Sequence, residues 1–115
     1  MYARVANIIA QNELQLTMWI ETFKAISAKP MSEFGSIQIT ITKVSPNKAI
    51  MMNVFPNKET ADKAKKAVAE KIKQEREMMK LEISEGEVVF SQNSLTHEWF
   101  CLLYTSPSPR DDELS

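Results

Sequence analysis

The sequence has few of the residues that most often build metal, redox or phosphate sites: one cysteine, one histidine and two glycines in 115 residues. A single cysteine excludes an internal disulfide framework and a cysteine-based zinc site. Gly35 and Gly86 lie far apart in the chain, so there is no glycine-rich phosphate-binding loop. No motif in the sequence indicates a particular reaction, and we expect neither a cofactor nor a bound metal.

The sequence also has no large excess of positive or negative residues and no long apolar segment. The chain has 14 Lys and Arg against 15 Asp and Glu, a net charge of −1. A nucleic-acid-binding domain usually carries a clear basic excess, so we expect no nucleic-acid partner. No segment approaches the roughly 20 apolar residues that span a bilayer. The first ten residues are too short for a secretory leader. We therefore expect a cytoplasmic protein with no membrane partner.

The last fifteen residues differ in composition from the rest. Residues 101–111 read CLLYTSPSPRD, which resembles a translated transposon-type sequencing adapter, a recurrent contaminant of metagenomic gene predictions. The alternative is a natural, flexible tail rich in serine and proline. We expect residues 1–100 to form a single domain with its core at 2–91, and residues 101–115 to be non-native. Without that segment the net charge becomes +1 and no cysteine remains.

Alternating and helical apolar patterns predict six elements. Asn12 and Gln15 form a capping-box pattern at the start of the first helix, and Pro30 is expected to end it. Gly86 is expected to mark a turn or bulge in the last strand. The predicted elements are a strand at 2–10, a helix at 13–28, a β-hairpin over 36–55, a helix from Asn57 to about Lys80, and a strand within 82–91.

This βαββαβ order predicts an α+β, ferredoxin-like fold. Right-handed crossovers would place both helices on one face of a four-stranded antiparallel sheet. The other face would then be uncovered, although several of its candidate residues are apolar. Packing that face against a second copy of the chain would cover it, so we expect a homodimer.

The element order, the hairpin, the turn and third strand at residues 46–55, and the alanine-rich helix start at 57–64 resemble the dimeric α/β-barrel superfamily, in particular its antibiotic-biosynthesis-monooxygenase-like group. The resemblance covers residues 2–91. It implies a homodimer with facing sheets and a pocket between the sheet and helices of each subunit. Some members oxidise aromatic polyketides or quinols without metal or flavin, and others degrade haem. The haem degraders need a His and a Trp on the second helix, and residues 57–80 contain neither.

Two residues are candidates for catalysis. Asn7 is a polar residue inside an apolar strand, at the place of a functional asparagine in several members of the group. It could hold a substrate carbonyl or an oxygen intermediate, or be a structural amide bonded to its neighbours. His97 is the only histidine and could be a general base. No acid partner for His97 lies nearby in sequence.

Five further residues are candidates for ligand binding. Gln38, Thr40 and Asn53 could converge as polar anchors of an apolar pocket. The threonines could instead face solvent or a dimer interface. Trp19 and Phe23, one helical turn apart, could roof that pocket or simply pack in the core.

These features predict a small homodimer with a lipophilic pocket. One hypothesis is a cofactor-independent monooxygenase-like enzyme that acts on a lipophilic substrate. A second is a non-catalytic binder of an apolar small molecule such as a fatty acid or polyketide. A third is a dimerisation module without a ligand.

Overall fold

The structure, a computed structural model, describes residues 1–92. His97, the expected domain end at residue 100 and the adapter-like segment 101–115 lie outside the described residues. Within the described part, no helix combines the length and apolar character that a membrane crossing requires.

The order of elements is the predicted one, with each helical region divided into shorter pieces. The elements are β1 (Tyr2–Ile9), α1 (Glu13–Thr22), a π-helical segment (Phe23–Ser27), α2 (Ala28–Glu33), β2 (Gln38–Ser45), β3 (Lys48–Phe55), α3 (Lys58–Ala67), α4 (Ala69–Met78) and β4 (Lys80–Glu87).

The four strands form one sheet in the spatial order β2-β3-β1-β4, and all neighbouring strands are antiparallel. Strand β1 is central, with Tyr2 opposite both Phe55 of β3 and Glu87 of β4. The sheet and its helices have the βαββαβ topology, so the ferredoxin-like α+β fold is confirmed.

Side-chain caps begin both helical regions, as the sequence predicts. The Asn12 carboxamide oxygen accepts a hydrogen bond from the Gln15 backbone N–H at 2.8 Å, and the Gln15 side chain accepts one from the Gln11 N–H at 2.7 Å. Asn57 accepts in the same way from the Thr60 N–H at 2.8 Å. These bonds satisfy backbone donors that have no partner inside the helix.

The expectation that Pro30 ends the first helix is wrong. The helix continues to Glu33, and Pro30 lies in the first turn of α2, directly after the π-helical segment. Proline lacks a backbone N–H, and an added residue in a π-turn shifts the hydrogen-bonding pattern. Pro30 is therefore tolerated for the same reason that proline is tolerated near a helix start.

The helical region ends at a glycine that redirects the chain into the sheet. Gly35 has φ +108°, its N–H donates to the Ser32 carbonyl at 3.0 Å, and the Ser36 N–H donates to the Met31 carbonyl at 3.1 Å. This pair of bonds is a Schellman motif, in which a left-handed residue favours glycine. The motif determines where Ser36 enters the sheet.

The bulge expected at Gly86 is absent. Gly86 pairs regularly with Ala3 inside β4. The register shift found in the sheet lies instead between Lys43 and Ser45, where β2 approaches its turn to β3.

Alternation along the strands gives the sheet two different faces. One face packs on the helices and contributes to two buried clusters. The first cluster lies around α1 and consists of Ala6, Ile8, Ala10, Leu16, Ala49 and Met79. The second lies around α3 and consists of Met31, Phe55, Ala61 and Ala64. The opposite face, which we call the open face, carries Asn7 at the centre of β1.

We predict that Gly35→Ala destabilises the protein by about 1–3 kcal/mol in urea unfolding, because an L side chain is strained at this positive φ. A Cβ at this position would also overlap the Thr60 methyl carbon. Gly86→Ala is the matched control, since nothing lies within 4 Å of its Cβ position. Equal stability of the two variants would contradict the assigned role of Gly35.

Candidate functional site

A cavity of about 330 Å³ lies between the helix-facing side of the sheet and the helices. Ile8 of the first buried cluster and Met31 of the second both line it, so it lies where the two clusters meet. Most of the lining is apolar. The strands contribute Arg4, Ala6, Ile8, Met51, Asn53, Leu81 and Ile83, and the helical regions contribute Trp19, Phe23, Ile26, Ser27, Pro30, Met31, Ala67, Val68, Lys71, Ile72 and Glu75.

The small side chain of Ala6 explains why space remains above the sheet. Ala6 lies on the central strand, opposite Met51 of β3 and Ile83 of β4. The Ala6 methyl group fills less space than these two neighbours on the same face. Space for the cavity therefore remains over the middle of the sheet.

Two aromatic rings form the roof of the cavity. Trp19 of α1 and Phe23 of the π-helical segment stack with their ring centroids 5.6 Å apart and their planes at 30°. Both residues line the cavity. A flat, apolar roof of this kind offers a contact surface for a ring or an extended hydrocarbon.

Two side-chain hydrogen bonds join the first helical region to α4 at the edge of the cavity. The Trp19 indole N–H donates to Glu75 Oε2 at 2.8 Å, and Lys71 Nζ donates to Ser27 Oγ. Lys71 and Glu75 lie one turn apart on α4. Their opposite charges therefore offset each other at this edge.

Asn53 is the buried polar anchor on β3, and the residue is 3% exposed. Its carboxamide oxygen accepts a hydrogen bond from Ser36 Oγ. The Schellman turn at Gly35 places Ser36 in reach of this amide. A buried amide of this kind needs such a partner, because an unsatisfied polar group is costly away from water.

Arg4 is a cavity residue that the sequence analysis did not single out. It is 9% exposed, lines the cavity floor and lies opposite Asn53 of β3 and Glu85 of β4. The signal was present in the sequence. Arg4 has the same parity along β1 as Ala6 and Ile8, so a core-facing Ile8 implies a core-facing Arg4.

Glu85 belongs to a small polar cluster beside Arg4. Its two carboxylate oxygens accept hydrogen bonds from Tyr2 Oη at 3.0 Å and from Lys65 Nζ at 3.3 Å. Burial pushes the pKa of Glu85 upward, but these bonds outweigh it and the charge of Arg4 adds to them, so its pKa lies below the usual value. Burial and the Glu85 carboxylate raise the pKa of Tyr2.

The structure does not bring Gln38 and Thr40 together with Asn53, and Asn7 also lies on the other face of the sheet. Asn7 has the opposite parity to Arg4 and Ala6, and it is exposed on the open face opposite Ile50 and Glu82. Asn53 pairs with Ile39, so Gln38 and Thr40 also lie on the open face, where both are exposed. Parity within one strand could not reveal this, because the outcome depends on the register between strands.

Among residues 1–92, no group of three or more His, Cys, Asp or Glu side chains is arranged to hold a metal ion. The second catalytic candidate, His97, lies outside this range.

No family model matches the chain, and no curated protein matches its sequence. Solved structures do match its fold. A dimeric ferredoxin-like protein from an uncultured marine organism is 12% identical with a TM-score of 0.68, and the match covers 79% of this chain and 97% of the other.

Two further neighbours are named for oxygenation. SnoaB of Streptomyces nogalater, a cofactor-independent oxygenase solved as a point mutant, is 11% identical with a TM-score of 0.59, over 78% of this chain and 94% of that one. A candidate antibiotic biosynthesis monooxygenase of Nitrosomonas europaea is 11% identical with a TM-score of 0.60, over 78% and 100%. The expected fold is thereby confirmed. At these identities the likeness shows the fold and leaves the activity to be tested.

We predict that Ser36→Ala destabilises the protein by about 1–3 kcal/mol, because it leaves the buried Asn53 oxygen without a donor. Ser32→Ala, at an exposed position of α2, is the matched control. Adding Asn53→Leu to Ser36→Ala removes both polar partners, and urea unfolding should then recover part of the loss. A Ser36→Ala loss no larger than that of Ser32→Ala would refute the assigned bond.

Proposed function

We propose that the protein is a homodimer that binds a lipophilic small molecule in the cavity of each subunit. The observation that carries the binding proposal is the cavity itself, with apolar walls and the stacked Trp19 and Phe23 rings above it. A volume of about 330 Å³ falls in the range of small-molecule sites. Asn53, Trp19 and Phe23 are the proposed ligand contacts.

The open face supports the homodimer. Met52 is 37% exposed there, and Val5, Ile9 and Ile50 are only partly buried. No described helix covers this face, since both helical regions pack on the opposite side. A second copy would bury these apolar side chains and place the two sheets face to face, the arrangement expected from the superfamily resemblance. Asn7, Gln38 and Thr40 would then lie in or beside the interface between the two sheets.

A cofactor-independent oxygenase is the second candidate, and the aromatic roof together with the fold of SnoaB favours it. In such a reaction an electron-rich aromatic substrate would reduce O2 directly. An anthrone CH2 group would become a carbonyl, with one oxygen atom retained in the product and the other released as water. The apolar cavity would exclude bulk water from the reacting atoms.

The dimer is tested by Ile50→Glu, which places a charge in the middle of the open face. We expect native mass spectrometry and sedimentation to show a dimer for the wild type and a monomer for this variant, since a buried unpaired carboxylate is strongly unfavourable. Lys73→Glu, on the exposed side of α4, is the control and should remain dimeric. A monomeric wild type would overturn the homodimer. The same spectra would also reveal a co-purified ligand.

Ligand binding is tested by filling the cavity with Ala6→Leu. The neutral fluorescent probe N-phenyl-1-naphthylamine should bind the wild type, and this variant should bind it at least about tenfold more weakly because the added side chain occupies the floor. Thr17→Leu adds the same side chain at an exposed position of α1 and should bind normally. Equal binding by all three proteins would show that the probe lies elsewhere.

The oxygenase candidate is tested with the same variants. An oxygen electrode should record wild-type uptake with an anthrone, and Ala6→Leu should abolish it. Uptake that Asn7→Ala abolishes while Ala6→Leu retains it would move the reaction to the open face. Probe binding without oxygen uptake from any anthrone would favour the non-catalytic binder.

A further inference from the structure

Arg4 is a buried cation with no direct anionic partner in the described part of the chain. Its Nε atom is fully buried and makes no hydrogen bond. The ion pairs found within residues 1–92 involve Lys24, Lys43, Lys58, Lys65 and Lys80, and none involves Arg4. A guanidinium does not lose its proton in proteins, so it cannot relieve its burial by becoming neutral.

The nearest carboxylate does not supply the missing partner. Glu85 lies opposite Arg4 across β1 and β4, but its oxygens accept from Tyr2 and Lys65, and it makes no contact with Arg4 within the 4.0 Å of an ion pair. At the α4 edge, Glu75 accepts the Trp19 indole N–H. The donors of Arg4 therefore remain available to something that enters the cavity.

We infer that the cavity binds a lipophilic carboxylic acid, whose carboxylate pairs with Arg4 on the floor while its apolar body lies beneath Trp19 and Phe23. This inference rests on the proposed binding function and adds the charge and polar group of the ligand. Burying a charge without a partner is unfavourable, and an entering carboxylate would remove that cost.

The chemistry of Arg4 and its surroundings favours a carboxylate over other anions. The guanidinium presents parallel N–H donors that match the two oxygens of a carboxylate. Asn53 lies beside Arg4 on the same face and also lines the cavity. Lys71 and Glu75 offset each other at the α4 edge, so the lining has the net charge of one cation. That charge balances a monoanion, whereas a phosphate dianion would keep an unpaired charge away from water.

The inference is tested by calorimetric titration with 2-naphthoate and 2-naphthylmethanol, which share a ring system and differ in charge. We expect the wild type to bind the naphthoate roughly tenfold to hundredfold more tightly, the range expected for a charge-assisted contact. Arg4→Met replaces the apolar stem of the side chain without the guanidinium, and it should abolish this preference while still binding the alcohol. Arg4→Lys retains the charge and should keep part of the preference.

Lys73→Met is the matched control, because Lys73 is an exposed cation of α4 that does not line the cavity. It should keep the preference. Retention of the preference in Arg4→Met would overturn the inference, and so would equal affinity of the wild type for the two compounds. In the case of equal affinity the binding pocket would stand without a carboxylate site. If the wild type bound neither compound, the proposed function would fail together with the inference.

Discussion

The two-residue alternation of β1 is the constraint on which the rest of the structure depends. This strand has a neighbour on each side, so every one of its side chains lies inside one face of the sheet or the other. Arg4, Ala6 and Ile8 face the helices, and Val5 and Asn7 face away. A shift by one residue would place Asn7 in the core and Ile8 on the open face. The hydrophobic side chain of Ile8, which is almost fully buried, opposes that shift.

The helical layer that packs on this face of the sheet follows an irregular path. The π-helical segment carries Phe23 into its stack with Trp19, and the Schellman turn at Gly35 then returns the chain to the sheet. Ser36 follows that turn and donates to Asn53 on the cavity wall. Ser36 thus links the Schellman turn at Gly35 to the buried amide of Asn53.

Features that depend on local sequence could be predicted, and features that depend on long-range pairing could not. The caps at Asn12 and Asn57 need only residues three positions away, and both are present. The usual rule for proline fails at Pro30 because a π-turn precedes it, and nothing in the surrounding residues indicates a π-turn. Alternation along β1 places Asn7 on the face opposite to Arg4 and Ile8, but which of the two faces packs on the helices could not be predicted, because both carry apolar residues.

Arg4 and Asn53 show how the two kinds of information combine. Asn53 could be proposed as a polar anchor from its position in β3. That it lies beside Arg4 could be seen only once the register between β1 and β3 was known. A charged residue near the start of a strand is usually exposed, which directs attention away from Arg4. Once the register is known, the same residue becomes the most unusual feature of the cavity.

The apolar character of the cavity and the buried charge on its floor are physically connected. In an apolar enclosure an unpaired guanidinium is poorly solvated, and the same low polarity strengthens its attraction to an anion that displaces water. Glu85, the carboxylate opposite Arg4 on β4, accepts from Tyr2 and Lys65 and makes no ion pair with Arg4. The hydrogen bonds outside the cavity therefore bear on what Arg4 can bind inside it.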